Sequence, residues 1–150
     1  MNINDHLPDF RCLDQTGTWK TKADFIGQPL IIYAYPKDMT PGCTAQACNL
    51  EANLSQLSAY TVIGVSRDSV ERHAKFAAEY GLTFCLLSDP EAQFLQALGA
   101  WGEKKFMGKT FQGILRMTFI TDHQHVVRHI IPKARTKDHA EQILTLLSKP

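Results

Sequence analysis

Two cysteines five positions apart, Cys43 and Cys48, are the residues of this sequence best suited to chemistry. Cys43 follows a loop, residues 36–42, that contains two prolines and a glycine. Proline removes a backbone donor and disfavours helix in the residue before it, so we expect a helix to begin near Pro41, with Thr40 as its N-cap. Cys43 would then lie in the first helical turn, where unpaired backbone N–H groups stabilise an anion. The pattern predicts a nucleophilic thiolate at Cys43.

The composition is that of a globular protein, and we expect one domain covering residues 1–150. A formal net charge of +1 gives no electrostatic reason to expect nucleic acid or an anionic membrane as a partner. The sequence begins without a signal-peptide pattern, and no apolar run approaches the roughly 18 residues that cross a bilayer. We therefore expect a cytoplasmic protein with four reduced cysteines, which are typically catalytic, buried or metal-binding.

Nearly continuous apolar runs predict three central strands, at residues 29–35, 61–66 and 82–87. Apolar residues at helical spacing follow each of these strands, at residues 41–58, 69–80 and 91–98. Strands that are buried on both faces and joined by helices are typical of a parallel sheet. The Cys43 loop would follow the first central strand directly.

Both ends of the sequence add antiparallel pieces. An N-terminal β-hairpin is predicted around a turn at residues 14–17, and a second hairpin from residues 114–121 and 126–131. A last helix is expected over residues 136–148 with Thr136 as its N-cap, and residues 100–112 show no clear period and are expected to form a loop. This order indicates an α/β, thioredoxin-like three-layer fold, with a central mixed β-sheet flanked by helices and an N-terminal β-hairpin extension.

The loop sequence closely resembles that of the peroxiredoxins. Pro36, Thr40 and Cys43 match the family motif Pro-x-x-x-Thr-x-x-Cys, and residues 35–50 resemble the bacterioferritin comigratory protein branch, also called PrxQ. Further short matches extend the likeness over essentially the whole chain, at residues 8–10, 64–66, 87–89, 101–104 and 107–109. The resemblance implies reduction of hydrogen peroxide and organic hydroperoxides by protein sulfur, without a cofactor.

The same resemblance implies a role for each residue of the site. Cys43 would be the peroxidatic cysteine, whose thiolate attacks one peroxide oxygen, releases water or alcohol and becomes a sulfenic acid. The Thr40 hydroxyl would contact the thiolate and the incoming peroxide, while Pro36 would form a wall of the pocket. Arg116 is expected beside the thiolate, where its permanent charge would stabilise both the thiolate and the transition state.

Cys48 would be the resolving cysteine, forming an intramolecular disulfide with Cys43 that thioredoxin or a related donor reduces. In an intact helix, residues five apart have Cα atoms about 8–9 Å apart. A disulfide requires roughly 4.4–6.8 Å, so this hypothesis demands that the first turns of the helix unwind. Two alternatives stay open, namely a one-cysteine peroxidase resolved by an external thiol and a non-catalytic redox sensor or chaperone. The resemblance also implies a monomer.

The remaining candidate ligands and thiols are given structural interpretations. Cys12 and Cys85 lie in predicted strands and are expected in the core. The six histidines show no metal-ligand spacing, so we expect no metal and interpret them as surface or partly buried residues. Glu51 stands where relatives often have arginine, and its charge is expected to affect the surroundings of Cys48.

Overall fold

A mixed β-sheet runs through the centre of the computed structural model, which describes residues 1–149. The strands in chain order are Arg11–Leu13 (β1), Trp19–Thr21 (β2), Leu30–Ala34 (β3), Thr61–Ser66 (β4), Cys85–Ser88 (β5), Trp101–Phe106 (β6), Lys109–Ile114 (β7), Thr118–Thr121 (β8) and Val127–Ile131 (β9). Over residues 1–149, seven of them form one sheet in the order β2-β1-β5-β4-β3-β8-β9. The helices are Pro41–Ala52 (α1), Val70–Tyr80 (α2), Gln93–Leu98 (α3) and His139–Leu147 (α4), and a 3-10 helix spans Lys22–Phe25.

The centre of the sheet has the predicted pairing. Strand β4 lies parallel to both β3 and β5, whereas β8 is antiparallel to β3 and to β9. Strands β1 and β2 form the predicted N-terminal hairpin and join the sheet beside β5. Parallel central strands joined by helices, with antiparallel strands added at the edges, make the sheet mixed, as the sequence indicated.

Strand β3 separates two apolar layers because its side chains alternate between the faces of the sheet. Ile31 and Tyr33 belong to a core that also includes residues of α1, α2 and α4, whereas Leu30 and Ile32 belong to a second core with α3 and the N-terminal segment. Every residue of β3 is buried on both faces. The chain therefore leaves a rigid strand at Ala34 and enters the Cys43 loop from a fixed point.

One predicted element is wrong. The segment expected to be a loop forms an antiparallel hairpin, β6–β7, separate from the main sheet. Its turn consists of Met107 and Gly108, both with positive φ (50° and 77°). Positive φ at both positions is typical of two-residue hairpin turns, whose twist matches that of the flanking strands. Most of its residues are exposed, so no face of the hairpin carries the apolar alternation by which strands are recognised.

Several element boundaries also differ from the predictions. Helix α1 ends at Ala52 and not near residue 58, and the Asn53 side chain donates to the Asn49 carbonyl at this end. Helix α4 has Asp138 and not Thr136 at its N-cap position, because Gln142 accepts from the Arg135 N–H and holds the preceding residues as a turn. Strand β8 begins only at Thr118, which leaves residues 115–117 as a connecting segment.

None of the helices described for residues 1–149 has the length and apolar character that a membrane crossing requires.

Candidate active site

Cys43 lies in the first turn of α1, as predicted. The helix begins at Pro41, and Thr40 has the extended backbone of an N-cap (φ −85°, ψ 153°). The Thr40 carbonyl accepts the first intrahelical bond, from Thr44 N at 2.9 Å. Cys43 is only 1% exposed and contacts the core beneath α1. Its sulfur therefore lies near the positive end of the helix dipole and is shielded from bulk water.

Arg116 provides the positive charge that faces this sulfur. Its Nη2 atom lies 3.4 Å from Cys43 Sγ, although Arg116 belongs to the segment between β7 and β8 and is 73 residues away in sequence. Ala134 N donates to the Arg116 carbonyl at 3.0 Å and fixes the backbone at this point. A Cβ added to Gly42 would lie 3.4 Å from Arg116 Nη2, so the glycine leaves room for the guanidinium. The structure thus brings Cys43 and Arg116 together, as the sequence resemblance implied.

Gln46 is a residue of this site that the sequence reasoning missed. It follows Cys43 by three residues and therefore shares its face of α1. Its Oε1 atom accepts from Arg116 Nη1 at 2.6 Å, which fixes the second arm of the guanidinium. Gln46 is fully buried, and among residues 1–149 its Nε2 atom has no hydrogen-bond partner. The available signal was a polar residue inside the otherwise apolar stripe that continues with Ala47 and Leu50.

Thr40 forms a hydrogen bond within the loop, whereas Pro36 lines a cavity beside Arg116. The Thr40 hydroxyl donates to the Lys37 carbonyl at 2.8 Å and so closes the loop on itself, with its lone pairs left to accept from other groups. Pro36 lines two cavities of about 340 and 400 Å³ that both also include Lys104. Arg116 lines the larger one, so Pro36 does form part of a wall beside the guanidinium.

Lys104, on the exposed hairpin, is a second cation near the site that the sequence did not indicate. Burial lowers the pKa of its ammonium, and the nearby Arg116 charge lowers it further, whereas Cys43 opposes this effect. The hairpin therefore closes one side of the cavity beside Arg116 with a basic residue.

Cys48 lies in the same continuous helix as Cys43 and is half-buried. Burial raises the pKa of its thiol, and the Glu51 carboxylate raises it further. Over the described residues both cysteines are free thiols, and the intact helix keeps them apart. The structure therefore does not bring these two predicted site residues together.

The other two cysteines, Cys12 and Cys85, are not activated as nucleophiles. Burial raises the pKa of Cys12 and of Cys85 to about 12, so both remain thiols at neutral pH. Their surroundings agree with the structural roles expected from the sequence.

The expectation for the histidines is wrong for three of them. His73 and His139 are fully buried and His125 is 6% exposed. His139 donates from Nδ1 to Gln142 Oε1 and accepts at Nε2 from the Thr118 hydroxyl. Burial lowers its pKa to about 4, so it is neutral in the folded protein.

Comparisons with known proteins identify the family of this chain. A sequence profile described as the AhpC/TSA family matches residues 3–130. Peroxiredoxin Bcp of Escherichia coli (strain K12) is 40% identical over 151 residues, which cover 99% of this chain and 97% of that protein. A putative peroxiredoxin bcp of Haemophilus influenzae is 38% identical over 149 residues, with 98% and 96% covered.

Solved structures with the same architecture come from the same group of proteins. A mutant of Xylella fastidiosa PrxQ matches with a TM-score of 0.90 at 35% identity, covering 98% of this chain and 95% of its own. The Xanthomonas campestris bacterioferritin comigratory protein, studied for its alkyl peroxide reduction activity, matches with a TM-score of 0.85 at 34% identity, covering 92% and 89%. These structures confirm the thioredoxin-like fold. The chain therefore belongs to the AhpC/TSA family and, within it, to the Bcp/PrxQ peroxiredoxins, which are thiol-dependent peroxidases.

Proposed function

We propose that Cys43 is the peroxidatic cysteine of an enzyme that reduces hydrogen peroxide and organic hydroperoxides, with Cys48 as the resolving cysteine. The observation that carries the proposal is the 3.4 Å contact between Arg116 Nη2 and Cys43 Sγ at the start of α1. It combines a shielded sulfur, a helix N-terminus and a fixed positive charge. This arrangement stabilises a thiolate and the negative charge that develops when a peroxide bond breaks.

In the first step the Cys43 thiolate attacks one peroxide oxygen and the O–O bond breaks. The leaving oxygen takes up a proton and departs as water or an alcohol, while Cys43 is oxidised to a sulfenic acid. Arg116 lines a cavity of about 400 Å³, and Leu115 and Pro132 give it apolar walls. Such walls suit the organic substituent of a hydroperoxide.

In the second step the Cys48 thiolate attacks the sulfenic sulfur, forms the Cys43–Cys48 disulfide and releases the sulfenic oxygen as water. Thioredoxin or a related dithiol donor then reduces this disulfide by thiol–disulfide exchange and becomes oxidised itself. The step requires α1 to open, and the partial exposure of Cys48 supports access to it once the helix start unwinds. We place this cycle in a monomer in the cytoplasm, where the reducing environment keeps such thiols reduced.

A one-cysteine cycle is the second candidate, and two observations favour it. Cys43 and Cys48 lie on different sides of an intact helix, and the raised pKa of Cys48 reduces its thiolate fraction at neutral pH. In that cycle an external thiol would attack the sulfenic acid of Cys43, and Cys48 would have no part.

Mass spectrometry after one equivalent of hydrogen peroxide separates the two cycles. We expect the wild type to lose two hydrogens, with a peptide that links Cys43 to Cys48, and Cys48→Ser to keep a sulfenic acid. Cys85→Ser serves as the matched control, since it removes a half-buried thiol outside the site. A wild type that holds a sulfenic acid or a mixed disulfide would favour the one-cysteine cycle.

Steady-state peroxide consumption with thioredoxin, thioredoxin reductase and NADPH tests the proposed reductant and the catalytic role of Cys43. We expect turnover that Cys43→Ser abolishes. A Cys43→Ser variant with wild-type turnover would overturn the proposal, and absence of turnover with any thiol donor would favour a redox sensor or chaperone.

A further inference from the structure

Asp38 lies in the middle of the loop that precedes Cys43, residues 36–40, and its carboxylate points into the protein. It is 1% exposed. Its Oδ1 atom accepts from the Tyr35 hydroxyl at 2.6 Å, and its Oδ2 atom lies 2.6 Å from His73 Nδ1. The side chains of Asp38 and His73 are both completely buried. A buried carboxylate needs such partners because its desolvation is costly.

The second ring nitrogen of His73 is also bonded within the protein. Nε2 lies 3.0 Å from the Leu87 carbonyl, which can only accept, so Nε2 carries a proton. Nδ1 shares a 2.6 Å hydrogen bond with Asp38 Oδ2. The pair links the loop to α2 and, through Leu87, to β5.

The backbone of Asp38 is also held by residues outside the loop. Its N–H donates to Asp68 Oδ2 at 2.8 Å, and its carbonyl accepts from Arg72 Nη2 at 3.1 Å. Asp68 is itself fixed by Arg72 Nε at 2.9 Å and by the Ser66 hydroxyl at 2.7 Å. All the polar groups of Asp38 are thus bonded, and the charged and titratable groups that face the pair are Asp68, Arg72 and Tyr35.

Asp38, Asp68 and His73 bring their ligand atoms within 4.8 Å of one another, a spacing that could suit a cation. Each of these atoms already has a protein partner in the hydrogen bonds just described. The cluster is therefore explained as a fixed network, and it does not require a metal ion.

We propose that Asp38 and His73 are positioning residues for the reaction at Cys43. Asp38 lies two residues before the N-cap Thr40, so its anchor sets where α1 begins. The residue between them, Met39, has a φ of 68°, a conformation that a non-glycine residue adopts only when its surroundings hold it there. Arg116 approaches Cys43 from a different part of the fold, so the contact between them depends on how firmly this loop is held.

The inference rests on the proposed role of Cys43, and its test isolates the first chemical step. In a Cys48→Ser background, a sulfenic-acid-specific reagent and mass spectrometry follow a single turnover of Cys43 with hydrogen peroxide. We expect Asp38→Ala and His73→Gln to lower the second-order rate constant roughly tenfold to a hundredfold, the scale of a misplaced reacting group. Asp38→Asn should recover much of this loss, because its amide can bond both Tyr35 and a neutral His73.

His125→Gln is the matched control. His125 lies in the turn between β8 and β9 and is another buried histidine, and its ring donates to the Phe25 carbonyl. We expect His125→Gln to lower the free energy of unfolding without slowing the oxidation of Cys43. Imidazole nitrogen NMR supplies a signature that a merely structural role would not move. The signal of His73 Nδ1 should differ between the parent and Asp38→Asn, while Nε2 carries a proton in both.

Folded Asp38→Ala and His73→Gln proteins that react as the parent does would overturn the inference. Equal slowing by His125→Gln would also overturn it, because the effect would then be one of general stability. If the Cys48→Ser parent itself fails to react at Cys43, the proposed function fails and this inference with it. A reactive parent with equally reactive variants overturns the positioning role alone.

Discussion

Oxidation of the protein to its Cys43–Cys48 disulfide should unwind the start of α1. The perturbation is one equivalent of hydrogen peroxide added to the reduced wild type. In the reduced structure both cysteines lie within one helix, Pro41–Ala52, whose first bond runs from Thr44 N to Thr40 O. Residues five apart in a helix have Cα atoms about 8–9 Å apart. A disulfide needs them roughly 4.4–6.8 Å apart, so the chain between them must change conformation.

The size of the expected signal follows from the helix lengths. Helices α1 to α4 contain 12, 11, 6 and 9 residues. Unwinding residues 41–48 would therefore remove about a fifth of the α-helical content of residues 1–149. It would also move Cys43 out of the core and separate Gln46 from Arg116, which now share a 2.6 Å hydrogen bond.

Far-UV circular dichroism and amide hydrogen exchange measure this change. We expect a loss of roughly a fifth of the helical ellipticity on oxidation, with exchange protection lost at residues 44–48 and kept in α2. Dithiothreitol should restore both signals. Cys48→Ser treated with the same peroxide is the control, since it oxidises at Cys43 but has no resolving thiol and should keep its helix.

An oxidised protein with a mapped Cys43–Cys48 bond and an unchanged α1 would show that the disulfide forms without unwinding the helix. Unwinding of the same extent in oxidised Cys48→Ser would show that sulfenic acid formation, and not disulfide closure, opens the helix.

Three further predictions concern charge and protonation. Arg116→Gln should lower the rate of Cys43 oxidation roughly a hundredfold, the scale for losing one fixed donor at a developing charge, and stopped-flow kinetics that show less than a few-fold change would contradict this. Glu51→Gln should lower the pKa of Cys48, because it removes the second cause of its elevation and leaves burial; alkylation rates against pH in a Cys43→Ser background would detect it, and an unchanged profile would exclude the effect. His139, with a pKa of about 4 when folded against an ordinary 6.5, is protonated more readily in the unfolded chain, so stability should fall by about 3 kcal/mol as the pH drops from 6.5 to 4. Urea unfolding should show a shallower pH dependence of the free energy of unfolding in His139→Gln. An equal pH dependence in both proteins would show that another group causes it.

Local sequence signals predicted the part of the site that lies on one continuous stretch. Pro41 and Thr40 mark the start of α1 by backbone chemistry alone, and Cys43 follows from them. Arg116 could be placed only by resemblance, because 73 residues separate it from Cys43 and nothing in its own neighbourhood indicates the contact. Arg116 was also expected within a strand, whereas it lies between β7 and β8, a position set by tertiary packing.

The residues that sequence reasoning missed act through long-range hydrogen bonds. His73 lies on the buried side of α2 and was interpreted from its type as a surface or partly buried residue, yet its partner Asp38 is 35 positions away. Apolar periodicity places such a histidine on the correct helix face but carries no information about the carboxylate it meets. The exposed β6–β7 hairpin was missed for the opposite reason, since it buries too little for any apolar pattern to form.

The proposed rearrangement is compatible with a stable fold because both ends of the moving segment are held. On the N-terminal side Asp38 is bonded through all of its polar groups to residues outside the loop. On the C-terminal side the Asn49 side chain accepts from Ala140 N at 2.7 Å and donates to Glu141 at 3.2 Å, which ties α1 to α4. Both cysteines lie between these two anchors, within residues 39–48. The helix start can therefore open to form the disulfide and refold after reduction while the sheet and the other helices stay in place.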